Sequence, residues 1–234
     1  MAPRGAGEEP VVTWSEIAII VVAVVLVAGW ALWVAASRLD RLHRKVMASR
    51  LALDAQLERR ASAALDLAGA GELDPASSVL VAEAAYAVLD DDLRMREVAA
   101  AVPGLAELVV APEGVRRPDG GAPLVQAPRL LAGVGMQRAM AESDLSATLR
   151  AALEDPQDVA EIRASPLGAD LLAALGGAWY RAQIARRFHN EAVAQTQRLR
   201  RTWYARAFSL AGHAPMPVTV ELDDAWPSGL DRNP

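Results

Sequence analysis

The sequence predicts an all-α protein: an N-terminal single transmembrane helix followed by a long antiparallel bundle of about four helices. Three observations carry that prediction. An uncharged apolar run, Ile17 to Ala36, lies near the N-terminus. Two long proline-free stretches repeat apolar or small residues at three- and four-residue steps. The composition is 53% hydrophobic but only 5% aromatic, so the apolar content is mostly Ala, Leu and Val. Such side chains favour closely packed helices over a β-sandwich.

Residues 1–16 read as a short extracytoplasmic tail and 17–36 as the span, matching the ~20 residues a helix needs to cross ~30 Å of hydrocarbon. Trp14 stands at one end of it, and Trp30 and Trp33 near the other. At ~1.5 Å per residue, Trp14 and Trp33 lie ~28 Å apart, the spacing of an aromatic belt. A cleaved signal peptide ending at Val34-Ala35-Ala36 is the competing reading. Against it stand the length of the run, a leader in which Glu8 and Glu9 outweigh Arg4, and the direct passage into a basic helix. Arg4 is the only Lys or Arg before the span, whereas Arg38, Arg41, Arg44, Lys45 and Arg50 follow it. The positive-inside rule then places the N-terminus outside and the bulk of the chain in the cytoplasm, at the cell membrane. The first four of these residues are also expected to meet anionic headgroups, at ~1 kcal/mol per charge near the surface. A topology signal accounts for them equally well. Ala28 and Gly29 form no small-xxx-small pair for helix association in the bilayer.

Residues 37–210 make up the expected bundle. From Ser37 to about Ala68 there is no Pro or Gly, and Leu39, Leu42, Val46, Leu53, Leu57, Ala61, Ala64 and Ala68 form an apolar stripe. The sequence GAGELDP ends that helix, and Asp74 with Pro75 supplies the cap and first position of a second one reaching about Val102. Pro103-Gly104 stops it. Residues 103–135, rich in Pro and Gly, predict a long irregular loop, with Leu108 to Val110 as a short extended piece. A third helix is expected near a Ser143-Asp144 cap, carrying Leu145, Leu149 and Leu153 and interrupted at Pro156 and Pro166. The last helix is expected from about Ala169 to Leu210, with a weak point at Gly176-Gly177. Its stripe is Leu175, Ala178, Ala182, Ala185, Ala192, Thr196, Leu199 and Trp203, packed against a neighbour. Residues 211–234 predict an extended tail running back along the bundle.

Chemistry-bearing signals are sparse. A formal charge of -5 and a pI near 5.3 argue against nucleic-acid binding. The absence of Cys removes disulfides, thiol catalysis and thiolate metal sites, and only three His are present. There is no HExxH, GxSxG triad set, P-loop or dinucleotide fingerprint. The densest cluster is IARRFHNEAV, Ile184 to Val193. His189 falls on the packing stripe with Phe188 flanking it on the same side, while Arg186, Arg187, Asn190 and Glu191 spread over the other faces. Adjacent helical residues point about 100° apart and cannot converge on one reacting atom. Arg187 and Glu191 are spaced to pair on the surface. Asp90-Asp91-Asp92 reads as a solvated face and not as a cation loop. Glu58-Arg59-Arg60 likewise reads as a charged face, on which the two arginines can meet an acidic partner. The interaction candidates are therefore Arg59, Arg60, Arg186, Arg187, Asn190 and Glu191, and no catalytic, cofactor-binding or metal-binding residue is assigned.

Two segments resemble the LemA family. Asp54-Ala55-Gln56-Leu57-Glu58-Arg59-Arg60 is similar to its Asp-x-Gln-Leu-x-Arg-Arg pattern, and Ala185-Arg186-Arg187-Phe188-His189-Asn190-Glu191-Ala192-Val193 to its Ala-Arg-x-Tyr-Tyr-Asn-x-Ala-Val pattern. Phe208-Ser209-Leu210 would correspond to a Phe-Gly-Phe near the end of the family's last helix. The resemblance implies a short outer N-terminus, one span and a long antiparallel bundle on the cytoplasmic side, and brings no catalytic residues. The chain departs from the pattern at Leu65-Asp66-Leu67, where Pro-Asn-Leu is expected, and at Thr196-Gln197, where Tyr-Asn is expected. The expected function is a membrane-anchored scaffold or accessory module that has the lipid bilayer and a protein partner or a second copy as its contacts, without cofactor. The alternatives are a hydrolase using His189 or His213, and a sensor of anionic lipid.

Overall fold

The computed structural model describes residues 14–101, 127–212 and 216–230, and every regular element among them is a helix. In chain order these are α1 (Trp14–Gly69), α2 (Pro75–Ala101), α3 (Ala127–Ala152), α4 (Pro156–Ala164), α5 (Pro166–Arg200) and α6 (Trp203–Ala207).

Helix α1 is a single rod of 56 residues, ~84 Å long at 1.5 Å per residue. No Pro or Gly falls between Gly29 and Gly69, so nothing interrupts its hydrogen-bond ladder. Its two halves differ in surroundings. The apolar N-terminal part, from Trp14 through Trp33, stands exposed outside the bundle and is long and apolar enough to cross a membrane. Below it, Leu39, Val46, Leu53, Leu57, Ala61, Ala64 and Ala68 of the stripe read from sequence are buried, Leu67 joins them, and Leu42 is half-buried. The helix ends before Gly71, which takes a left-handed φ of 75° that costs Gly nothing. Asp74 then caps α2, its carboxylate accepting from the Ala76 and Ser77 amides.

Helices α1 and α5 run antiparallel in extended contact: Val46 packs with Ala192 and Val193, and Leu53 and Leu57 with Ala182. α2 packs on α1 and α3, and α4 on α5. The main core lies at the end of the bundle remote from the apolar span, where Leu67, Val81, Ala85, Val88, Leu145, Leu149, Leu153, Leu172, Leu175 and Trp179 meet.

The expected boundaries change in three places. α3 begins at Ala127, so 127–135 are helical and not loop. Gly133 and Gly135 cost about 1 kcal/mol each relative to Ala in a helix, which the rest of a 26-residue helix absorbs. Ser143 is accordingly mid-helix, its hydroxyl donating to the Ala139 carbonyl. The remainder of the expected loop, with Leu108 to Val110, lies outside the described residues. Gly176-Gly177 does not interrupt α5; both glycines are buried within it. Finally, α5 ends at Arg200, ten residues short of Leu210, because Thr202 turns extended (φ -64°, ψ 147°) and starts α6. α6 closes with paired bonds from the Ser209 amide to the Arg206 carbonyl and from Leu210 to Ala205. Ser209 sits at a left-handed φ of 48°, the place that Gly usually takes in this motif.

Both prolines act as starts. Asp155 caps α4 ahead of Pro156, and Ser165 caps α5 ahead of Pro166. The joint between α4 and α5 is tight: a Cβ on Gly168 would lie 2.1 Å from the Ile162 carbonyl oxygen. Residues 216–227 carry no regular structure and pass along α5.

Candidate functional site

Three constellations hold the polar chemistry of the described residues. The first is the seam where α1 meets α5. Ser49 Oγ donates to the Val46 carbonyl and lies 3.1 Å from Nδ1 of His189, which is buried. Burial and then the nearby Arg50 hold the His189 pKa below the usual imidazole value, against a smaller opposing pull from Asp54. Beside this pair an open groove of about 280 Å³ runs between the helices, lined by Ser49, Ala52, Gln56, Arg181, Ala185 and Phe188. A general base needs a carboxylate or substrate proton within ~3 Å and access to a pocket. The Nδ1 partner of His189 is a hydroxyl and the ring does not line the groove. Phe188 lines the groove and is exposed. His213 lies outside the described residues.

The second is a buried ionic cluster. Arg60 Nη2 donates to Glu142 Oε2 at 2.7 Å and to the Glu142 carbonyl at 3.0 Å, while Nη1 donates to Ser146 Oγ at 2.9 Å. Its guanidinium sits 4.9 Å from the Trp179 ring centre, and both charged side chains are 0% exposed. Burial pushes the Glu142 carboxyl above the usual carboxylate range, with Arg60 and then Arg138 pulling the other way. Arg60 is thus an interior residue and not a surface contact, as its place between Leu57, Ala61 and Ala64 on the stripe could have shown. Arg59 is exposed.

The third is a strap. Polar side chains along one line of α5 bind the C-terminal tail. Trp179 Nε1 and Gln183 Nε2 donate to the Asp224 carbonyl at 3.2 and 2.6 Å. Arg186 binds the Asp224 carboxylate through Nε and Nη2, both at 2.8 Å. The Asn190 amide donates to the Val220 carbonyl and accepts its N–H, at 3.0 and 2.9 Å, as a neighbouring strand would. Gln197 donates to the Pro217 carbonyl at 2.8 Å. From the α3 side, Arg150 holds the Asp223 carboxylate at 2.6 Å, which lowers that carboxyl's pKa. Trp226 packs edge-on against Trp179 with centroids 6.3 Å apart, and Leu230 enters the core. Arg186 and Asn190 are therefore engaged by the chain's own tail. Arg187 and Glu191 are exposed, and Glu191 accepts from Gln195.

At the other end of the bundle, Trp14, Trp30, Trp33, Arg38, Arg41, Arg44 and Lys45 are all exposed, Arg44 pairing with Asp40 one turn away. No group of three or more His, Cys, Asp or Glu placed to hold a metal occurs among the described residues. No family model, curated protein or solved structure matches the chain.

Proposed function

We propose that the chain is a single-pass, membrane-anchored helical scaffold or accessory module. Its N-terminus lies outside, its bundle lies at the cytoplasmic face, and it does no catalysis of its own. The observation that carries this reading is the exposure of the apolar part of α1 in a helix continuous with the centre of the bundle. Each large aliphatic side chain gains about 1.5–3 kcal/mol on leaving water, so such a run demands an apolar surrounding. A break-free joint transmits the attitude of the span to the bundle. The divergent LemA-like character belongs to the same proposal. It is supported by the contact of the two resembling segments, Ala185 packing against the cluster that holds Leu57, and by Ser209 holding the left-handed turn where the pattern has Gly.

In-cell crosslinking of the full-length protein with mass spectrometry tests the scaffold role. A reproducible partner crosslinked at the exposed faces near Arg59, Arg187 or Glu191 is the expected result. Retention of every partner after charge reversal at all three would refute it. Orientation is tested by Ala122→Cys in this Cys-free chain. A membrane-impermeant maleimide should label it only after lysis, and labelling of intact cells reverses the topology.

A further inference from the structure

The geometry points to a second membrane contact, built from the end of α5 and from α6, that lies on an anionic bilayer surface beside the span. The inference rests on the anchor reading above. It begins with register. Ser49 meets His189 and Val46 meets Ala192 and Val193, so each step toward the N-terminus of α1 is matched by one toward the C-terminus of α5. From Ser49 up to Ala36, where the apolar run ends, is ~20 Å, and from His189 to Arg200, where α5 ends, is ~17 Å, at 1.5 Å per residue. α5 therefore stops, and α6 begins, at the level where α1 passes from basic to apolar sequence.

What is displayed at that level fits a headgroup layer. Trp203 is 75% exposed and Phe208 53%, although Ala205 between them is buried. Indole rings prefer the interface between hydrocarbon and water, and Phe belongs to the apolar face of helices that lie in it. Arg198, Arg201 and Arg206 are exposed around them, with Arg200 half-buried. Together with Arg38, Arg41, Arg44 and Lys45 they make eight basic residues, with Asp40 the one acid within 36–45 and 198–208, in a chain whose net charge is -5. Asp40 is already taken by Arg44. The acidic excess lies elsewhere in the chain, so the charge is polarised toward the bilayer. Charge complementarity and continuity with the span both select an anionic membrane as the occupant of this face.

The test uses full-length protein reconstituted in vesicles of phosphatidylcholine with a minority of phosphatidylglycerol, with single cysteines carrying a bimane label and lipid-borne nitroxide quenchers. Ala207→Cys, exposed on α6, should be quenched, and Ala76→Cys, exposed at the start of α2, should not. Quenching at residue 207 should fall in pure phosphatidylcholine, in high salt, and in the triple charge reversal of Arg198, Arg201 and Arg206 to Glu. Val25→Cys reports the anchor separately. Quenching at 25 but not at 207 overturns the second contact and leaves the anchor intact. No quenching at 25 overturns both. Quenching at 207 that is indifferent to lipid charge, salt and the triple variant overturns the anionic recognition.

Discussion

Replacing Glu142 with Leu leaves a buried guanidinium without its ion-pair partner. The Arg60 side chain is 0% exposed. With Glu142→Leu it keeps Ser146 Oγ, the backbone carbonyl of residue 142 and the face of Trp179, but loses the carboxylate in direct contact with it. Removing one partner of a buried ion pair typically costs about 3–5 kcal/mol. For a bundle of this size each kcal/mol lowers the melting temperature by about 2–4 °C, so the variant should lose on the order of 6–20 °C. The reverse variant, Arg60→Met, should cost less. Glu142 is already biased toward its neutral form by burial, and Arg138 acts on the same carboxyl. The double variant should recover most of the loss, since both charges leave together and the side chains match in volume. The assay is thermal unfolding of the full-length protein in mild detergent, followed by circular dichroism at neutral pH. A Glu142→Leu variant no less stable than Arg60→Met, or a double variant as unstable as Glu142→Leu, would refute the reasoning.

Other variants probe the strap, the α4–α5 joint and the seam. Asp224→Ala breaks the two-bond contact with Arg186, where charge-assisted hydrogen bonds are worth about 1.5–3 kcal/mol each at most. Limited proteolysis should then cut within 216–230 sooner than in the parent, with the helices still protected. Gly168→Ala should destabilise by about 1–3 kcal/mol, because a Cβ there drives into the Ile162 carbonyl; unchanged denaturant midpoints would contradict the tight joint. His189 and His43 both have folded pKa values below 6.5, so the unfolded chain binds more protons just beneath that pH. Their contribution is fully present above pH 6.5 and is lost as the pH falls through the folded values. His189→Gln should flatten, but not abolish, that decline in melting temperature, since His43 remains.

What the sequence made legible follows from which interactions are local. The stripe of α1 and its stop at Gly69 to Asp74 depend on periodicity and capping within a few residues, and both are found in place. The interruptions at Pro156 and Pro166 are local for the same reason, although each proves to be the start of a new helix. The start of α3 was hidden because Pro128, Gly133 and Gly135 read as loop residues, although Pro is tolerated in the first turn and the glycine cost is small against a long helix. Long-range pairings left weaker traces. Arg186 and Asp224 are 38 positions apart, and Arg60 and Glu142 82. Only the phase of Arg60 on a buried stripe hinted at its role, and nothing in residues 216–230 named Asp224 as its partner's target.

The strap and the ionic cluster also bear on how an anchored bundle can present a surface. The apolar part of α1 shares one uninterrupted helix with Leu53, Leu57 and Arg60, so tilting the span tilts the bundle. A single helix still leaves rotation about its own axis free. A contact at α6, offset from that axis across the α1–α5 seam, removes this freedom, because rotation would lift Trp203 and the arginines from the headgroups. The tail, tied to α5 at Trp179, Gln183, Arg186, Asn190 and Gln197, covers one side of the same helix. The groove beside Phe188 and the exposed Arg187 are left uncovered. Anchor, second contact and strap together would therefore fix both the heading and the identity of the face offered to a partner. Releasing the strap with Asp224→Ala should widen the set of crosslinked neighbours, whereas the triple charge reversal on α5 and α6 should change which positions crosslink while keeping the same neighbours.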